Sequence, residues 1–578
     1  MRHTARAGTS LNSVRSGAAI ALLTAAGAVA GGTTAVHAKG GTTWYVNSGP
    51  SGNDNNTCLS RKHPCATIPG AMAKAASGDT IEIAAGTYAG GFTIAESLSL
   101  KGAKGAPPVI SGGSPGVTIP GGVTATLANL QVIGATPGIA DSGTLTLSGS
   151  TVIDDAGGVL DAGVLTAVGG ALSSNSGNGL TVNGGADANV TGTTLASNSG
   201  TGVSNAGTMS LAGAAVSGNS AGGISNSGTG AVSTTTVTSN GNGGIINSGA
   251  LTLNNSTVGS NSGGNGGVSN TGTLSMNGTT VQSNSGGQAG IYNSYRLTMT
   301  NSTISGNSGS CAGGVCNSNG AFLTVTTGTV SGNTASQMGG GIYNAGTTSL
   351  LSSSVNGNSC PGNCLGGGIY NSNGNSLVVT DSTISDNFAG TCSNYCWSTY
   401  QGGGIYNRGL SILTNTTISN NSADSPCGYN CGSASGGGVY NNGGSTAMSN
   451  TLLAGNTLGV GDTVGPDCVG TLSDGNGANS NNLIGIGDGC GLTSGQNGDQ
   501  VGSSGSPINP MLGPLASNGG PTQTMALQPG SPAIGTAYAP TCLQKGSGNV
   551  NDRDQRGYPR DSKNRGVCDI GAYDTGGH

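Results

Sequence analysis

Side chains that could perform acid–base chemistry are scarce in the long central part of this sequence. Residues 105–460 contain two basic residues, Arg296 and Arg408, and no Glu, His or Lys. A glycosidase needs two facing carboxyl groups, and a polysaccharide lyase needs a base. The weak candidates for a catalytic set are Asp381, Asp386, Arg408 and Asp424. An Asp that replaces a turn Asn is the simpler interpretation, since Asp381 stands where similar segments have Asn301 and Asn415.

A second group of carboxylates precedes these candidates in the chain and consists of Asp141, Asp154, Asp155 and Asp161. Of these, Asp141, Asp155 and Asp161 are the weak candidates for a Ca²⁺ site. Asp141 and Asp161 occupy the same position in successive segments, which in a parallel sheet would place them ~5 Å apart. Like charges at that distance raise a pKa or bind a cation. A structural Ca²⁺ is therefore one interpretation, and solvated turn carboxylates are the other. No further cofactor is expected.

The candidate residues lie in a part of the chain where one short segment recurs many times, and this repeated segment must position them. The stretch Gly402–Asn421, GGGIYNRGLSILTNTTISNN, resembles Gly243–Asn261, GGIINSGALTLNNSTVGSN, and similar segments recur about every 22 residues over 111–460. Each has three short runs that alternate apolar with Ser or Thr and end in Gly or Asn, which tolerate left-handed corners. The pattern predicts an all-β, single-stranded parallel β-helix of about fifteen coils. Asn at one position of each coil, such as Asn183 and Asn407, is expected to form a ladder.

The coils differ in length mainly at one corner, between the TISxN run and the next IYN run. The number of residues at this corner grows toward the C-terminal end of the repeats. Short-range cysteine pairs lie at this corner and in both terminal regions, and in an oxidising compartment they are expected to form disulfides. The predicted pairs are Cys58–Cys65, Cys311–Cys316, Cys360–Cys364, Cys392–Cys396, Cys427–Cys431, Cys468–Cys490 and Cys542–Cys568. A zinc site formed by the 392/396 and 427/431 pairs is the alternative.

Aromatic residues become frequent toward the same end of the repeats, either before the Asn of the IYN run or in the enlarged loops. The set comprises Tyr343, Tyr370, Tyr395, Trp397, Tyr400, Tyr406, Tyr429 and Tyr440. They are expected to point outward as a strip that binds flat sugar faces or a partner protein. The alternative is that they cover glycine-rich backbone and rigidify the loops.

The chain begins with features of an exported protein. Residues 1–38 read as a signal peptide, with Arg2, Arg6 and Arg15 before an apolar run and a small-residue cleavage site. The whole chain has a net charge of −5, and removal of three arginines makes the mature chain more negative. This charge disfavours nucleic acid or an anionic membrane as a partner. No later segment is apolar enough to span a membrane.

Residues 39–110 are predicted to form an N-terminal cap and first coil. A strand at Trp44–Val46 precedes an Ala-rich helix that runs to Ala76, with Thr67 as its N-cap. With the following GDTIEIAAGTY run, this region resembles the start of pectate-lyase-like right-handed β-helices. The resemblance implies that the parallel β-helix is right-handed and that a helix covers its open first coil.

The GG-x-I and I-x-x-N elements resemble repeats of polymorphic outer-membrane proteins. Residues 461–578 are expected to hold the last coils and a segment that resembles the choice-of-anchor Q domain of bacterial surface proteins. The matching stretches are Asn518–Thr522, Ser531–Ile534, Asp554–Gly557 and Cys568–Ala572. Gly535 departs from that family's usual Asp. No catalytic role follows from the resemblance, and a charged latch that closes the rod is expected.

The function predicted from these features is that of a monomeric, secreted or cell-surface protein. It is expected to bind an extracellular polysaccharide or a surface partner protein through the enlarged, disulfide-tied loops. A polysaccharide lyase or glycoside hydrolase, and a purely structural spacer, are the alternatives.

Overall fold

The computed structural model describes residues 41–362, 365–390, 400–424, 434–459, 465–475, 477, 479–542, 552–560 and 567–576. The predicted signal peptide, Cys364 and the cysteines of the 392/396 and 427/431 pairs lie outside these residues, as do Tyr395, Trp397 and Tyr429. Within the described part, the chain winds into a parallel β-solenoid of about sixteen coils, because one of its sheets has 16 strands. Almost no helix is present in the described residues, so the all-β prediction is confirmed.

Most coils contribute one strand to each of three sheets, which we call sheets A, B and C. In the coil after Gly404, Ile405–Asn407 lies in sheet B, Leu410–Thr414 in sheet A and Thr417–Ser419 in sheet C. Alternate residues point inward, so the apolar positions of successive coils stack into one continuous core along the axis.

The strand bounds of the three main sheets follow in chain order. Sheet A contains Thr43–Val46, Thr80–Ile83, Ser99–Gly102, Thr124–Ala128, Thr144–Ser148, Val164–Val168, Asp187–Thr191, Thr208–Ala212, Thr229–Ser233, Ala250–Asn254, Thr273–Asn277, Arg296–Thr300, Phe322–Thr326, Thr347–Leu351, Ser376–Thr380, Leu410–Thr414, Ser445–Ser449 and Ser473–Asp474. Sheet B contains Phe92–Thr93, Val117–Ile119, Ile139–Asp141, Val159–Asp161, Leu180–Val182, Thr201–Asn205, Gly222–Asn226, Ile245–Asn247, Val268–Asn270, Ile291–Asn293, Val315–Asn317, Ile342–Asn344, Ile369–Asn371, Ile405–Asn407, Val439–Asn441 and Cys468–Val469. Sheet C contains Thr87–Ala89, Val109–Ser111, Gln131–Ile133, Thr151–Ile153, Ala171–Ser173, Thr194–Ala196, Ala215–Ser217, Thr236–Thr238, Thr257–Gly259, Thr280–Gln282, Thr303–Ser305, Thr329–Ser331, Ser354–Asn356, Thr383–Ser385, Thr417–Ser419, Leu452–Leu453, Leu483–Ile484 and Gln500–Val501.

Three smaller sheets complete the fold. Sheet D forms only at the corner where the coils lengthen, and contains Ser308–Gly309, Thr334–Ala335, Ser359–Pro361, Phe388–Gly390, Ser422–Asp424 and Thr457–Leu458. A two-stranded parallel sheet pairs Tyr400–Gln401 with Ala434–Ser435, and an antiparallel pair joins Leu512–Ala516 to Thr524–Leu527. The extra residues of the longer coils thus form a fourth short side of the solenoid.

Two ladders of buried asparagine run along the axis. The sheet B ladder extends from Asn205 to Asn441, and each Nδ2 donates to Oδ1 of the next Asn at 2.7 to 3.0 Å. The sheet C ladder extends from Asn175 to Asn456 at 2.8 to 3.0 Å. Because each amide also binds backbone, the ladders satisfy polar groups at corners that are closed to water.

One ladder assignment made from the sequence is wrong by one residue. The strand register places Val182, not Asn183, between Asp161 and Asn205. Val182 is buried in the core, so the sheet B ladder is interrupted there. Asp141 and Asp161 continue the same column toward the N-terminal end.

The N-terminal region contains a shorter helix than the sequence predicts. The helix spans Ile68–Met72, and the Thr67 hydroxyl accepts a hydrogen bond from the Gly70 N–H at 2.9 Å. Asp54 accepts from the backbone N–H groups of Ala66 and Thr67. A five-residue helix packs on the first strands, but no larger helical cap is seen in the described residues.

Replacing Thr67 with Ala is expected to lower the free energy of unfolding by about 1 kcal/mol, because the cap bond to Gly70 is lost. Thr67→Ser retains the hydroxyl and is the matched control. Chemical denaturation of the two variants and the parent checks the prediction. Equal losses in both variants would contradict it.

The C-terminal segment folds back over the outer face of sheet C and contacts at least four earlier coils. Thr522 donates to the Ser352 carbonyl, Gln555 accepts from the Thr383 hydroxyl at 2.6 Å, and the Ala572 N–H donates to Thr417. The outward side chains of the sheet C strand Thr303–Ser305 are half-exposed. Those of Thr383–Ser385 are buried, because the C-terminal segment covers them. The segment, which was expected to close the rod, thus lies as a brace along its side.

An ion pair lies at the centre of this brace. Arg560 Nη2 is 2.6 Å from Asp381 Oδ1, and both side chains are buried. Arg560 also donates to the carbonyls of Asp569 and Gly571. A second buried pair joins Arg556 to Asp554 at 2.6 Å. The segment also contains the short helix Ala539–Cys542.

The described residues contain four of the predicted disulfides, which link Cys58 to Cys65, Cys311 to Cys316, Cys468 to Cys490 and Cys542 to Cys568. Cys360 is also disulfide-bonded. Disulfides of this kind form in oxidising compartments. In the part of the chain that the structure describes, no helix is long and apolar enough to cross a membrane.

Candidate functional site

The sheet B strands of the longer coils carry the predicted aromatic strip. The Gly-Gly-Gly run before each strand makes the tight turn that positions it. Gly402 has a φ of 70°, and an added Cβ would lie 2.5 Å from the Ile405 carbonyl oxygen. At Gly403 an added Cβ would lie 2.4 Å from the Gly437 carbonyl of the next coil. Only glycine therefore allows the enlarged loop to approach the strand so closely.

Four tyrosines stack outside sheet B in the predicted order. Ring centroids are 5.4 Å apart for Tyr343–Tyr370, 5.0 Å for Tyr370–Tyr406 and 5.6 Å for Tyr406–Tyr440. The strands are in register, so one ring follows another at each coil. Parallel stacking at this spacing contributes about 1 kcal/mol per pair.

The exposure of these rings corrects the expected strip. Tyr370 and Tyr406 are only 6% and 3% exposed, whereas Tyr343 and Tyr440 are half-buried. Tyr400 is fully buried beside Ala423 and Ala434, and its hydroxyl has no hydrogen-bond partner among the described residues. Tyr370 and Tyr406 are the inner rings of the stack, so each has a neighbouring ring against both faces. The three buried rings therefore serve packing, and burial raises the pKa of Tyr400 and Tyr406.

The tyrosine hydroxyls lead to the corner between sheets B and A. Asn442 Nδ2 donates to the Tyr406 hydroxyl at 2.5 Å. The exposed Arg408 donates a hydrogen bond to Tyr370, which raises the pKa of the guanidinium. The stack of tyrosines thus orients Arg408 at the surface.

An exposed group that the sequence analysis did not single out lies along the same corner. Arg296 and Phe322 are cross-strand neighbours, with the guanidinium 5.2 Å from the ring centroid. Phe322 is 43% exposed and the adjacent Tyr295 is 51% exposed. Leu410, 43% exposed, continues the row three strands further on. We call these residues, with Arg408, the aromatic edge.

The aromatic edge thus holds both basic residues of the repeats. Arg296 lies over the Phe322 ring, and Arg408 is hydrogen-bonded to the Tyr370 hydroxyl. From Arg296 to Leu410 it is about 19 Å long, at ~4.8 Å per coil. The sequence does contain an indication of this row, because Arg, Phe and Leu occupy an outward position where most coils have Thr or Ser. Their proximity depends on the register across coils of unequal length.

The four candidate catalytic residues do not come together. Asp381 lies in the buried pair with Arg560 at the corner between sheets A and C. Asp386 is exposed at the corner after Thr383–Ser385, and Asp424 lies in sheet D. Arg408 lies at a third corner. Asp386 and Arg408 therefore form no ion pair among the described residues.

Nor do the three carboxylates proposed for Ca²⁺ form one cluster. Asp141 and Asp161 lie in the sheet B column, and Asp155 begins the sheet C ladder by accepting from the Ala135 N–H. Among the described residues, no group of three or more His, Cys, Asp or Glu side chains could hold a metal ion. A calcium site built from these three residues is thus not supported.

These carboxyls instead occupy asparagine positions. In each, Oδ1 accepts a backbone hydrogen bond, while the buried Oδ2 has no partner. In an asparagine, the atom at the Oδ2 position is the Nδ2 donor. A carboxyl oxygen at this position can donate a hydrogen bond only when it is protonated. Burial raises the pKa of Asp141, Asp155 and Asp161 to about 6.

No protein-family model matches the chain, and no curated protein matches its sequence. Among solved structures, pectate lyase Pel9A is 14% identical, with 92% of this chain and 96% of that chain covered and a TM-score of 0.25. The A-module of the mannuronan C-5 epimerase AlgE4 from Azotobacter vinelandii is 15% identical, with 73% and 91% covered and a TM-score of 0.21. A rhamnogalacturonan lyase is 11% identical, with 85% and 96% covered and a TM-score of 0.14. Matches at these identities concern the fold alone and identify no functional residue.

Proposed function

We propose that this protein is an exported, cell-surface or extracellular β-solenoid that binds a polysaccharide along the aromatic edge. The observation that carries the proposal is the exposed Arg296–Phe322 pair beside Tyr295, in line with Arg408. Exposed aromatic rings pack against the apolar faces of sugars, and arginine donors bind their hydroxyl oxygens. The row is straight and rigid because every residue sits on, or next to, a strand of the solenoid.

The signal peptide, the covering role of the N-terminal helix and the choice-of-anchor Q resemblance belong to the same proposal. Export agrees with the disulfides, and a covered first coil avoids edge-to-edge association of rods. The enlarged corner, with Tyr343 and Tyr440 half-exposed, would extend the surface. Because the candidate acids do not converge, we do not propose hydrolysis or elimination.

A structural spacer is the second candidate function. It is favoured by the uninterrupted asparagine ladder of sheet C and by the C-terminal brace, which give a rod that is stiff without any ligand. A spacer requires no exposed aromatic row, so removal of that row distinguishes the two functions.

Affinity electrophoresis through gels that contain neutral polysaccharides tests the binding function. The parent is expected to be retarded by at least one polysaccharide, and Arg296→Ala combined with Phe322→Ala should weaken binding about tenfold or more, since stacked aromatic contacts contribute about 1 kcal/mol each or more. Val168→Ala is the matched control, because Val168 is 47% exposed on sheet A away from the edge. Equal mobility of parent, double variant and control in every gel would favour the spacer.

A further inference from the structure

A cleft of about 540 Å³ lies at the opposite end of the solenoid from the enlarged loops. It opens on the outer face of the first strands of sheet A, between the Cys58–Cys65 loop and the turn after Gly102. Tyr45, Arg61, Glu82, Lys101 and Lys104 line it. This volume lies within the range of about 300 to 1,000 Å³ that is usual for small-ligand sites.

The floor of the cleft is a row of side chains fixed by strand register. Tyr45 pairs with Glu82, and Glu82 pairs with Lys101, so the three side chains lie side by side on the outer face. Arg61 reaches over this row from the disulfide loop. Its Nε and Nη2 lie 2.9 and 2.5 Å from Glu82 Oε1, and its guanidinium is 5.6 Å from the Tyr45 ring centroid. The guanidinium is thereby held in place before any ligand arrives.

The charges in the cleft are not balanced. Glu82 is paired with Arg61, but neither Lys101 nor Lys104 belongs to any ion pair among the described residues. The cleft therefore keeps a net positive charge, on a chain whose overall charge is −5. Arg61, Lys101 and Lys104 line the cleft beside a single acid, Glu82. Such local concentration of one sign attracts oppositely charged ligands against the field of the whole protein.

We propose that this cleft binds an acidic saccharide, with Lys101 and Lys104 contacting its anionic groups and Tyr45 flanking a sugar ring. A saccharide fits better than an isolated anion, because the cleft is large and its wall combines an aromatic ring with the polar side chains of Asn47 and Glu82. The site is separate from the aromatic edge and does not depend on the function proposed for it.

Three polymers with one backbone test the proposal: neutral dextran, carboxymethyl-dextran and dextran sulfate. The full mature protein is expected to bind at least one charged polymer more tightly than dextran, with an affinity that falls as salt is added. The carboxymethyl and sulfate arms show which anionic group the cleft takes. Lys101→Glu combined with Lys104→Glu should weaken binding about tenfold or more, and Lys101→Gln with Lys104→Gln should weaken it less.

Lys74→Glu is the matched control, because Lys74 is exposed in the same N-terminal region but does not line the cleft. It should bind nearly as well as the parent, and thermal unfolding should show that all variants are folded. Absence of binding, equal loss in Lys74→Glu, or no loss in the double variants would overturn the proposal. Tighter binding of inorganic polyphosphate than of either charged dextran would also overturn it, since the cleft would then be a phosphate site.

Discussion

Replacing Arg560 with Met is expected to lower the free energy of unfolding by about 3 to 5 kcal/mol, because it leaves Asp381 buried without its partner. Burial raises the pKa of Asp381 to about 6 even with Arg560 beside it, so the carboxylate is still ionised at pH 7. The loss also releases the carbonyls of Asp569 and Gly571. The C-terminal brace should therefore detach from sheet C before the rest of the solenoid unfolds.

Denaturant unfolding and hydrogen exchange measure this effect. Amides of the sheet C strands under the brace, such as Thr383–Ser385, should lose protection, whereas those of Thr303–Ser305 should keep it. Arg553→Met is the control, since Arg553 is exposed in the same segment. Asp381→Asn added to Arg560→Met should recover part of the loss, because Asn occupies the equivalent position at Asn415 and carries no charge. A uniform small loss in both single variants would contradict the role of the pair.

Substituting Asn for Asp155 is expected to stabilise the protein by about 2 kcal/mol at pH 8, and Asp161→Asn should act in the same direction. In the variant, an Nδ2 group that can donate replaces the buried Oδ2 atom, which has no hydrogen-bond partner. The side chain then matches the asparagines in the rest of the ladder, which begins at Asn175. Since the pKa of Asp155 is raised from 3.8 to about 6 in the fold, ionisation costs the folded state up to about 3 kcal/mol. The groups that face these carboxyls are other acids: Asp154 beside Asp155, and Asp141 and Asp187 beside Asp161.

The pH dependence follows from the direction of that shift. Below about pH 4 the carboxyl is protonated in both the folded and unfolded chain and carries no penalty. The penalty grows as the pH rises from about 4 to about 6 and is then constant. Unfolding free energy measured from pH 3.5 to 8 should therefore fall more in the parent than in Asp155→Asn. Asp154→Asn, at an exposed neighbouring position, is the control. If Asp155→Asn were neutral or destabilising at pH 8, Asp155 would not be an imperfect ladder residue.

Much of the fold follows from the sequence because the repeat is local. Alternation in IYN, LSILT and TIS fixes which residues enter the core, and the Gly and Asn corners fix where each strand ends. The four disulfides of the described residues were also predictable, since each joins cysteines that are close in the chain. The prediction that Asn183 belongs to the ladder was wrong, because a one-residue change in corner length moves a different side chain into the column. Repeat spacing alone does not reveal such a change.

The features that matter most for the site were not predictable in the same way. Asp381 and Arg560 are 179 residues apart, and no periodicity connects the brace to the repeat. Tyr370 and Tyr406 occupy outward positions, yet they are buried because each is stacked between two other tyrosine rings. Arg296 and Phe322 become neighbours only when coils of unequal length are stacked in register.

Titration calorimetry of the parent and the Arg296→Ala, Phe322→Ala double variant, with a polysaccharide that retards the parent, tests the proposed function most directly. Reducing ends and polymer length are measured on the same samples. We predict that the parent binds, that the double variant binds about tenfold more weakly or less, and that polymer length does not change in either. Equal affinity in the two proteins, or shortening of the polymer by the parent, would contradict a binding function at the aromatic edge.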